Sequence, residues 1–180
     1  MVETVVGRRR FPDGAEVLSE SLIGKRGATV TETEAKQMTA FKYEPPASQD
    51  RPKKTVPIVK TDLLRVGVQV VRKDGGETNM HAHPSLDSTW MVLAGQARFY
   101  GYGDVVIAEP AKHEGVNIPR GVPYWFEAIS DEPLEILHIT AADPNATNER
   151  VNYAERTAAR QKNRPSGRIA SEAERHAATE

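Results

Sequence analysis

Short apolar segments alternate with turn sequences through the middle of this chain, and that spacing limits the fold more than any other feature. Leu63 to Val71 is rich in aliphatic and β-branched residues and ends at the turn Lys73-Asp74-Gly75-Gly76. Similar segments follow at intervals of about 8 to 12 residues, which is typical of an all-β sandwich or barrel. No helix is predicted between residues 58 and 143. The further strand candidates are 89–93, 96–100, 105–108, 116–118, 124–129 and 134–140.

Polar sequences flank this apolar middle on both sides. Hydrophobic residues make up 38% of the chain and charged residues 27%, and because the apolar deficit falls at the two ends, we expect one core in the middle. Residues 1–57 are predicted to be an N-terminal extension with short strands within 18–31 and a proline-rich loop at 44–57. Residues 58–143 form the predicted β-barrel. Residues 144–180 are a charged tail, either disordered or partly helical, with a helix candidate at 149–162.

The composition excludes several classes of function. A net charge of −1 gives no reason to expect nucleic acid or an anionic membrane as a partner. The absence of cysteine excludes disulfides, thiolate metal ligands and a cysteine nucleophile, and it fits a reducing compartment. No apolar run approaches the roughly 20 residues of a membrane helix, and the first residues lack the apolar core of a signal peptide. We therefore expect a cytoplasmic protein.

Two histidines, His81 and His83, are separated by a single alanine. In an extended segment, residues two apart point to the same side, so both imidazoles would face one spot and suit a divalent metal. The alternative is a pair of surface histidines beside a turn. The neighbouring sequence favours the metal site, because a Gly-Gly turn precedes the pair and the apolar run Trp90-Met91-Val92-Leu93 follows it.

Glycine and proline positions around the histidine pair form two motifs. Gly75 lies six residues before His81, and Gly95 closes the apolar run that follows. A Pro-x-Gly turn stands further along, at Pro119 and Gly121. In these motifs the chain resembles the cupin superfamily, over somewhat less than half its length. The resemblance implies a jelly-roll β-barrel. It also implies a metal held by three histidines and one glutamate that the two motifs supply.

Two of the four ligand positions implied by the resemblance hold other residues. Ser88 stands at the glutamate position with Asp87 just before it, and Tyr124 stands at the third histidine position. Asp87 could complete a face of two histidines and one carboxylate, which is known for non-haem Fe(II), or it is a surface residue at the start of a strand. His138 is another third-ligand candidate, because strand alternation turns it inward. Its alternative role is that of a hydrogen-bonded core histidine.

Tyr124 is the predicted catalytic residue. If the Pro-x-Gly turn forms, the phenol faces the barrel interior, where a neutral hydroxyl can orient a substrate or act as a general acid. The alternative is a packed aromatic residue with its hydroxyl satisfied. Ser88, Trp90 and Phe126 are predicted to line the substrate pocket, with an ordinary aromatic core as the alternative for Phe126.

Two classes of function follow from the resemblance and the histidine pair. The first is a metal-dependent enzyme, most simply an Fe(II) or Mn(II) dioxygenase-type oxidoreductase acting on a small organic molecule. Metal-assisted isomerase, lyase or hydrolase chemistry uses the same residues, and the divalent metal is iron, manganese, nickel or zinc. The second class is a non-catalytic module that binds a small molecule. Partners are expected to be that small molecule and a second copy in a homodimer, because cupins commonly pair through their sheets, with no nucleic acid and no membrane.

Overall fold

Short strands make up most of the part of the chain that the structure, a computed structural model, describes. That part comprises residues 39–73, 75–76, 78–143, 145–147, 149–153 and 167–179. In chain order the elements are β1 (Lys53–Lys60), β2 (Leu64–Val71), β3 (His81–Ala82), β4 (Leu86–Ala94), β5 (Ala97–Tyr100), a 3₁₀ turn (Tyr102–Asp104), β6 (Val106–Ala108), β7 (Gly115–Ile118), β8 (Trp125–Ala128), β9 (Leu134–Ala142), β10 (Val151–Asn152), β11 (Arg168–Ile169) and α1 (Glu172–Ala177).

The strands form three sheets. The largest has five strands in the order β1-β2-β9-β4-β7, and every neighbouring pair in it is antiparallel. A second sheet has the order β6-β5-β8, and a third has the order β11-β10-β3. Strands that are distant in sequence therefore lie side by side, as in a jelly roll, in which the chain crosses between two sheets. This arrangement confirms the predicted all-β fold.

Alternation along the central strands decides which side chains face the interior. On β4, Leu86, Ser88, Trp90 and Val92 are buried, while Thr89 and Met91 between them are exposed. On β9, Leu134 and Ile136 are buried in the same way. Because strand side chains point alternately to opposite faces, the register of these two strands sets the whole inner surface.

The hydrophobic core lies between the five-stranded sheet and the β6-β5-β8 sheet. Trp90, Phe99 and Phe126 are its largest members, each no more than 2% exposed. Their rings contact one another, with centroids 5.0 Å apart for Trp90 and Phe126 and 5.0 Å apart for Phe99 and Phe126. Burying such a side chain contributes about 1.5–3 kcal/mol, so this aromatic cluster helps to hold the two sheets together.

The first strand begins inside the predicted proline-rich loop. β1 starts at Lys53, and Pro57 lies within it, next to a register shift between Pro57 and Val59. A proline is tolerated there because β1 is an edge strand, where a missing N–H costs no ladder hydrogen bond, and because bulges accept proline. The loop prediction for residues 44–57 is therefore wrong from Lys53 onward.

The tail also differs from its predicted form where the structure describes it. Val151 and Asn152 form β10, an extended strand paired with β3, at a place where the sequence predicted the start of a helix. Pairing with β3 outweighs a helix that lacks a continuous apolar stripe. The helix that is described, α1, lies later and begins with a capping box at Ser171. The rest of the predicted helix and the strand candidates within residues 18–31 lie outside the described residues.

Candidate functional site

Main-chain pairing fixes the histidine pair on the inner side of the barrel. The N–H of His81 donates to the carbonyl oxygen of Tyr124 at 3.0 Å. The N–H of Tyr124 in turn donates to the carbonyl oxygen of His81 at 2.9 Å. On its other side, His81 lies opposite Asn152 of β10. With both edges held, the His81 and His83 rings converge, with centroids 5.1 Å apart and planes at 89°. The structure thus brings the two imidazoles together, as their spacing predicts.

The His81 ring is held as a neutral imidazole. The residue is 3% exposed, and Nδ1 lies 2.6 Å from the carbonyl oxygen of Asn79. A carbonyl accepts a hydrogen bond, so Nδ1 carries the proton and Nε2 keeps its lone pair. Burial holds the pKa of His81 well below its usual value, and the guanidinium of Arg150 lowers it further. This tautomer is the one that metal-binding histidines commonly adopt.

The His83 ring is less enclosed and has an unsatisfied atom. Burial lowers the pKa of His83, and Arg150 again adds to the effect. A hydrogen bond with the main chain of Glu149 partly offsets this by raising the pKa of His83. It does not satisfy Nδ1. That nitrogen is buried and lacks a hydrogen-bond partner among the residues that the structure describes. A buried polar atom without a partner is rare in folded proteins and indicates a place for water or a ligand.

His138 lies inward on β9, flat against Trp90. The two rings stack with centroids 3.6 Å apart and planes at 6°. Its Nε2 lies 3.4 Å from Ser88 Oγ, a long contact at the limit of a hydrogen bond. Burial lowers the pKa of His138 to about 3, with smaller effects from Lys53 and His83, so this ring is also neutral at pH 7.

Tyr124 lies beside His81 in the interior. Their ring centroids are 4.6 Å apart, and Tyr124 is 5% exposed. Burial raises the pKa of its phenol, and Arg150 offsets part of that rise. The hydroxyl is therefore protonated at neutral pH. This state suits a hydrogen-bond donor rather than a phenolate ligand, because a phenolate would be a buried charge.

Asp87 does not join the histidines, contrary to the expectation that it could be the third ligand. It follows Leu86 on β4 and faces away from the inner side that Ser88 and Trp90 share. Its carboxylate accepts hydrogen bonds from Arg120, at 2.9 Å from the backbone N and at 2.8 Å from Nη2. The physical reason is alternation: the one-residue offset from the family position turns the side chain to the opposite face.

The residues predicted to line a pocket are part of the packed interior. Ser88 is 3% exposed, Trp90 2% and Phe126 0%. Trp90 and Phe126 belong to the aromatic core, which is the alternative that the sequence left open for Phe126. The Trp90 Nε1 is buried and makes no well-formed hydrogen bond within the described residues, but it acts on the Tyr124 phenol, whose pKa it lowers slightly.

Two cations that sequence reasoning missed lie near these rings. The Lys53 ammonium stands 5.4 Å from the Phe126 ring centroid, and its charge lowers the pKa of both His81 and His138. Arg150 lies in the tail segment, and its charge lowers the pKa of His81, His83 and Tyr124. No sequence signal marks either residue: Lys53 is one of two adjacent lysines, and Arg150 reaches the site only because β10 pairs with β3.

A network of amides holds Arg150 in place. Asn79 Nδ2 donates to Asn152 Oδ1 at 3.0 Å, and Arg150 Nε donates to the same oxygen at 3.1 Å. Arg150 Nη2 donates to Asn79 Oδ1. Asn79 and Asn152 are buried, so this network is a fixed part of the interior.

The fold family implies a divalent metal at the histidine pair, and the described donor set only begins to fit one. His81 and His83 are neutral and convergent, as ligands must be. Among the described residues, however, no group of three or more His, Cys, Asp or Glu side chains could hold a metal ion. Lys53 and Arg150 add positive charge, which opposes a dication. These residues therefore do not complete a metal site with the usual three protein ligands.

No helix in the described ranges is long and apolar enough to cross a membrane.

No family model matches the sequence, and no curated protein matches it.

Solved structures nevertheless resemble this chain. An uncharacterized conserved protein with a double-stranded β-helix domain from Klebsiella pneumoniae is 21% identical, with a TM-score of 0.51, over 65% of this chain and 92% of that one. The Cnp3 cupin domain of Schizosaccharomyces pombe is 18% identical, with a TM-score of 0.49, over 57% and 74% of the two chains. An RmlC-like cupin family protein from Methanocaldococcus jannaschii is 17% identical, with a TM-score of 0.48, over 60% and 95%. The likeness to the Klebsiella pneumoniae protein shows that the chain has the double-stranded β-helix fold, which is a jelly-roll architecture.

Proposed function

We propose that this protein is a non-catalytic cupin that binds a small molecule inside its barrel. The observation that carries the proposal is a cluster of neutral, inward-facing polar rings that have atoms left to bond. His81, His83, His138 and Tyr124 contribute the rings. His83 Nδ1 is the atom of these rings that is buried without a hydrogen-bond partner among the described residues.

This cluster is suited to recognition by hydrogen bonds. A neutral imidazole offers one donor and one acceptor, a phenol can do both, and an indole N–H donates. A ligand that satisfies such buried groups gains about 1–3 kcal/mol for each group otherwise left unpaired. Burial lowers the pKa of all three imidazoles, which weakens each of them as a general base. Binding rather than turnover is therefore the proposed role.

Native mass spectrometry of the untagged protein tests this proposal. We expect a small molecule to co-purify with the protein and to be released on denaturation. Replacing His83 with phenylalanine removes both ring nitrogens at nearly constant shape, and it should abolish the bound mass. His113→Asn is the matched control, because His113 is exposed and has a positive φ of 71° that asparagine tolerates. If the purified protein carries no ligand and binds none from a metabolite extract, the proposal fails.

A metal-dependent enzyme is the second candidate, favoured by one observation. The His81 and His83 rings converge at 5.1 Å with Nε2 of His81 unprotonated, and paired neutral imidazoles are common metal ligands. A bound iron, manganese, nickel or zinc ion would supply Lewis acidity or oxygen chemistry. On this candidate the protein is a dioxygenase-type oxidoreductase, or a metal-assisted isomerase or lyase, with Tyr124 as the proton donor.

Elemental analysis separates the two candidates. Protein purified without a histidine tag is reconstituted with Fe(II), Mn(II), Ni(II) or Zn(II) at pH 7, and the metal per chain is measured. A stoichiometric metal that is lost in a His81→Ala, His83→Ala double variant supports the enzyme. Less than about one-tenth of an equivalent of every metal supports the binding module, because a completed site holds its metal tightly.

A homodimer in the cytoplasm is the remaining part of the proposal. β6 is an edge strand, and its Val106 and Ile107 are 50% and 63% exposed. Exposed apolar edges favour pairing with another chain. Light scattering on the full chain should give twice the monomer mass, and a monomer mass at micromolar concentration would contradict the dimer.

A further inference from the structure

We propose that the ligand of this barrel is a small carboxylate, held through its charge by the ammonium group of Lys53. This ligand class presupposes the binding function proposed above. The carboxylate would lie between Lys53 and the His81 side of the interior, with the polar rings bonding the rest of the molecule.

Lys53 is a cation turned toward the core without an acidic partner. It is the first residue of β1, and the residue is only partly exposed. Its ammonium lies 5.4 Å from the Phe126 ring centroid. Among the described residues it makes no ion pair, whereas the adjacent Lys54 points to solvent and donates to the Ser48 carbonyl at 3.5 Å. A cation held against an aromatic face with no counter-charge calls for an anion.

The surroundings of Lys53 are positive or neutral rather than acidic. Burial, and then the charge of Arg150, lower the pKa of Lys53 to about 8. In the described part of the chain, no Asp or Glu side chain contributes to the pKa shifts of Lys53, His81, His83, Tyr124 or His138. An anion near Lys53 would therefore meet its ammonium, and no described carboxylate is among the groups that shift its pKa.

Lys53 also lines a cavity at the surface. The cavity has a volume of about 340 Å³, and the other lining residues are Asp50, Arg51, Lys54 and Thr55. Three cations against one carboxylate make this surface cavity positive on balance, which favours the approach of an anion toward Lys53.

A single negative charge fits better than a phosphate. Lys53 supplies one ammonium, while Arg150 already uses Nε and Nη2 to bond Asn152 and Asn79. One ammonium next to the Phe126 ring matches a monoanion with an apolar body. A phosphate dianion is ordinarily met by several donors or by an arginine fork.

Ligand-dependent thermal unfolding of the full chain tests this inference. The probes are sodium acetate, sodium benzoate and inorganic phosphate, each against sodium chloride at equal ionic strength and pH 7. We expect at least one carboxylate to raise the Tm of the wild-type protein saturably. Lys53→Met should weaken that binding at least tenfold, and Lys53→Arg should largely restore it. Lys54→Met, the matched control, should bind like the wild type.

The possible results separate this inference from the proposed function. Equal carboxylate binding by wild type and Lys53→Met would overturn the role of Lys53, and a Tm that responds only to phosphate would overturn the carboxylate. If a neutral co-purified molecule is found and Lys53→Met retains it, binding stands and the anion inference is wrong. If Lys53→Met does not fold, Lys53→Arg decides the question. Because it keeps the charge, this variant should still bind the carboxylate.

Discussion

The imidazole of His138 lies flat on the indole of Trp90, with ring centroids 3.6 Å apart and planes at 6°. The two residues are direct cross-strand partners on β9 and β4. Stacking of this kind holds the imidazole as part of the aromatic core, which explains why burial lowers its pKa so far. The stacking on Trp90 and the contact with Ser88 thus fix the orientation of the His138 ring in the candidate site.

Acid should destabilise the protein through His138. The unfolded chain binds a proton to this ring below its ordinary pKa of 6.5, whereas the native state does so only near pH 3. The unfolded state therefore binds more protons between these values, and the free energy of unfolding falls as pH drops through that window. Each pKa unit is worth about 1.4 kcal/mol, so we expect a loss of a few kcal/mol in urea unfolding measured from pH 7 to pH 4.

A His138→Phe variant isolates this contribution. Phenylalanine can stack on Trp90 without titrating, so its stability should depend less on pH between 6.5 and 4 than that of the wild type. The same measurement on His113→Asn should follow the wild-type curve, because His113 is exposed. Identical pH slopes for His138→Phe and wild type would show that His138 does not carry the effect.

Removing Asp87 should leave the interior unaffected. Its carboxylate contacts Arg120 on the outside of the barrel, and the two side chains are 42% and 54% exposed. Exposed ion pairs contribute little to stability. Asp87→Ala should therefore leave the free energy of unfolding almost unchanged, with metal content and ligand binding also unchanged. Loss of bound metal in this variant would restore Asp87 as a ligand and contradict the outward placement.

Gly115 should tolerate no side chain. An ideal Cβ there would lie 2.0 Å from the Trp90 carbonyl oxygen, so Gly115→Ala must push β7 away from β4. We expect a loss of about 3 kcal/mol in chemical denaturation, at the upper end of what overpacked sites usually lose. Gly121→Ala is the comparison, because no atom lies within 4 Å of its Cβ and only its φ of +81° is unfavourable. That strain costs about 1–2 kcal/mol, and equal losses at the two sites would refute the clash.

Replacing Lys53 with methionine should stabilise the ligand-free protein at pH 7. The native pKa of Lys53 is lowered to about 8 from an ordinary 10.5, so below pH 8 the native state carries a charge that it disfavours. Between pH 8 and 10.5 the unfolded state binds more protons, and the wild type gains stability as pH rises. We expect Lys53→Met to be more stable by roughly 1–3 kcal/mol at pH 7, after a discount for partial exposure. The gap should close by pH 10.5, and a less stable variant at pH 7 would contradict the buried charge.

Strand periodicity carried most of the fold prediction. The segment around Leu134–Ala142 alternates, and Leu86–Ala94 contains the continuous apolar run from Trp90 to Leu93. Because turns with glycine or proline separate the segments, their class and approximate position could be predicted. β1 was harder to predict, because its three lysines and Pro57 do not show the alternation of a strand. β10 was still harder to predict, because two residues show no periodicity and their extended conformation depends on pairing with β3.

The histidine pair was predictable, and most of its surroundings were not. His81 and His83 converge because a local extended geometry is enough to align residues two apart. Asp87 was misplaced because one residue of offset reverses the face of a strand. Lys53 and Arg150 could not be assigned, because each reaches the interior from a segment far away in sequence.

The sequence by itself determined the class of fold and the inward pair of imidazoles, because both depend on short-range rules of alternation and turn formation. The tertiary structure alone decided the chemistry around that pair. It turned Asp87 outward to Arg120, and it brought Lys53 and Arg150 toward the histidines. Charge acts through space, so the electrostatics of the site depend on which distant strands become neighbours.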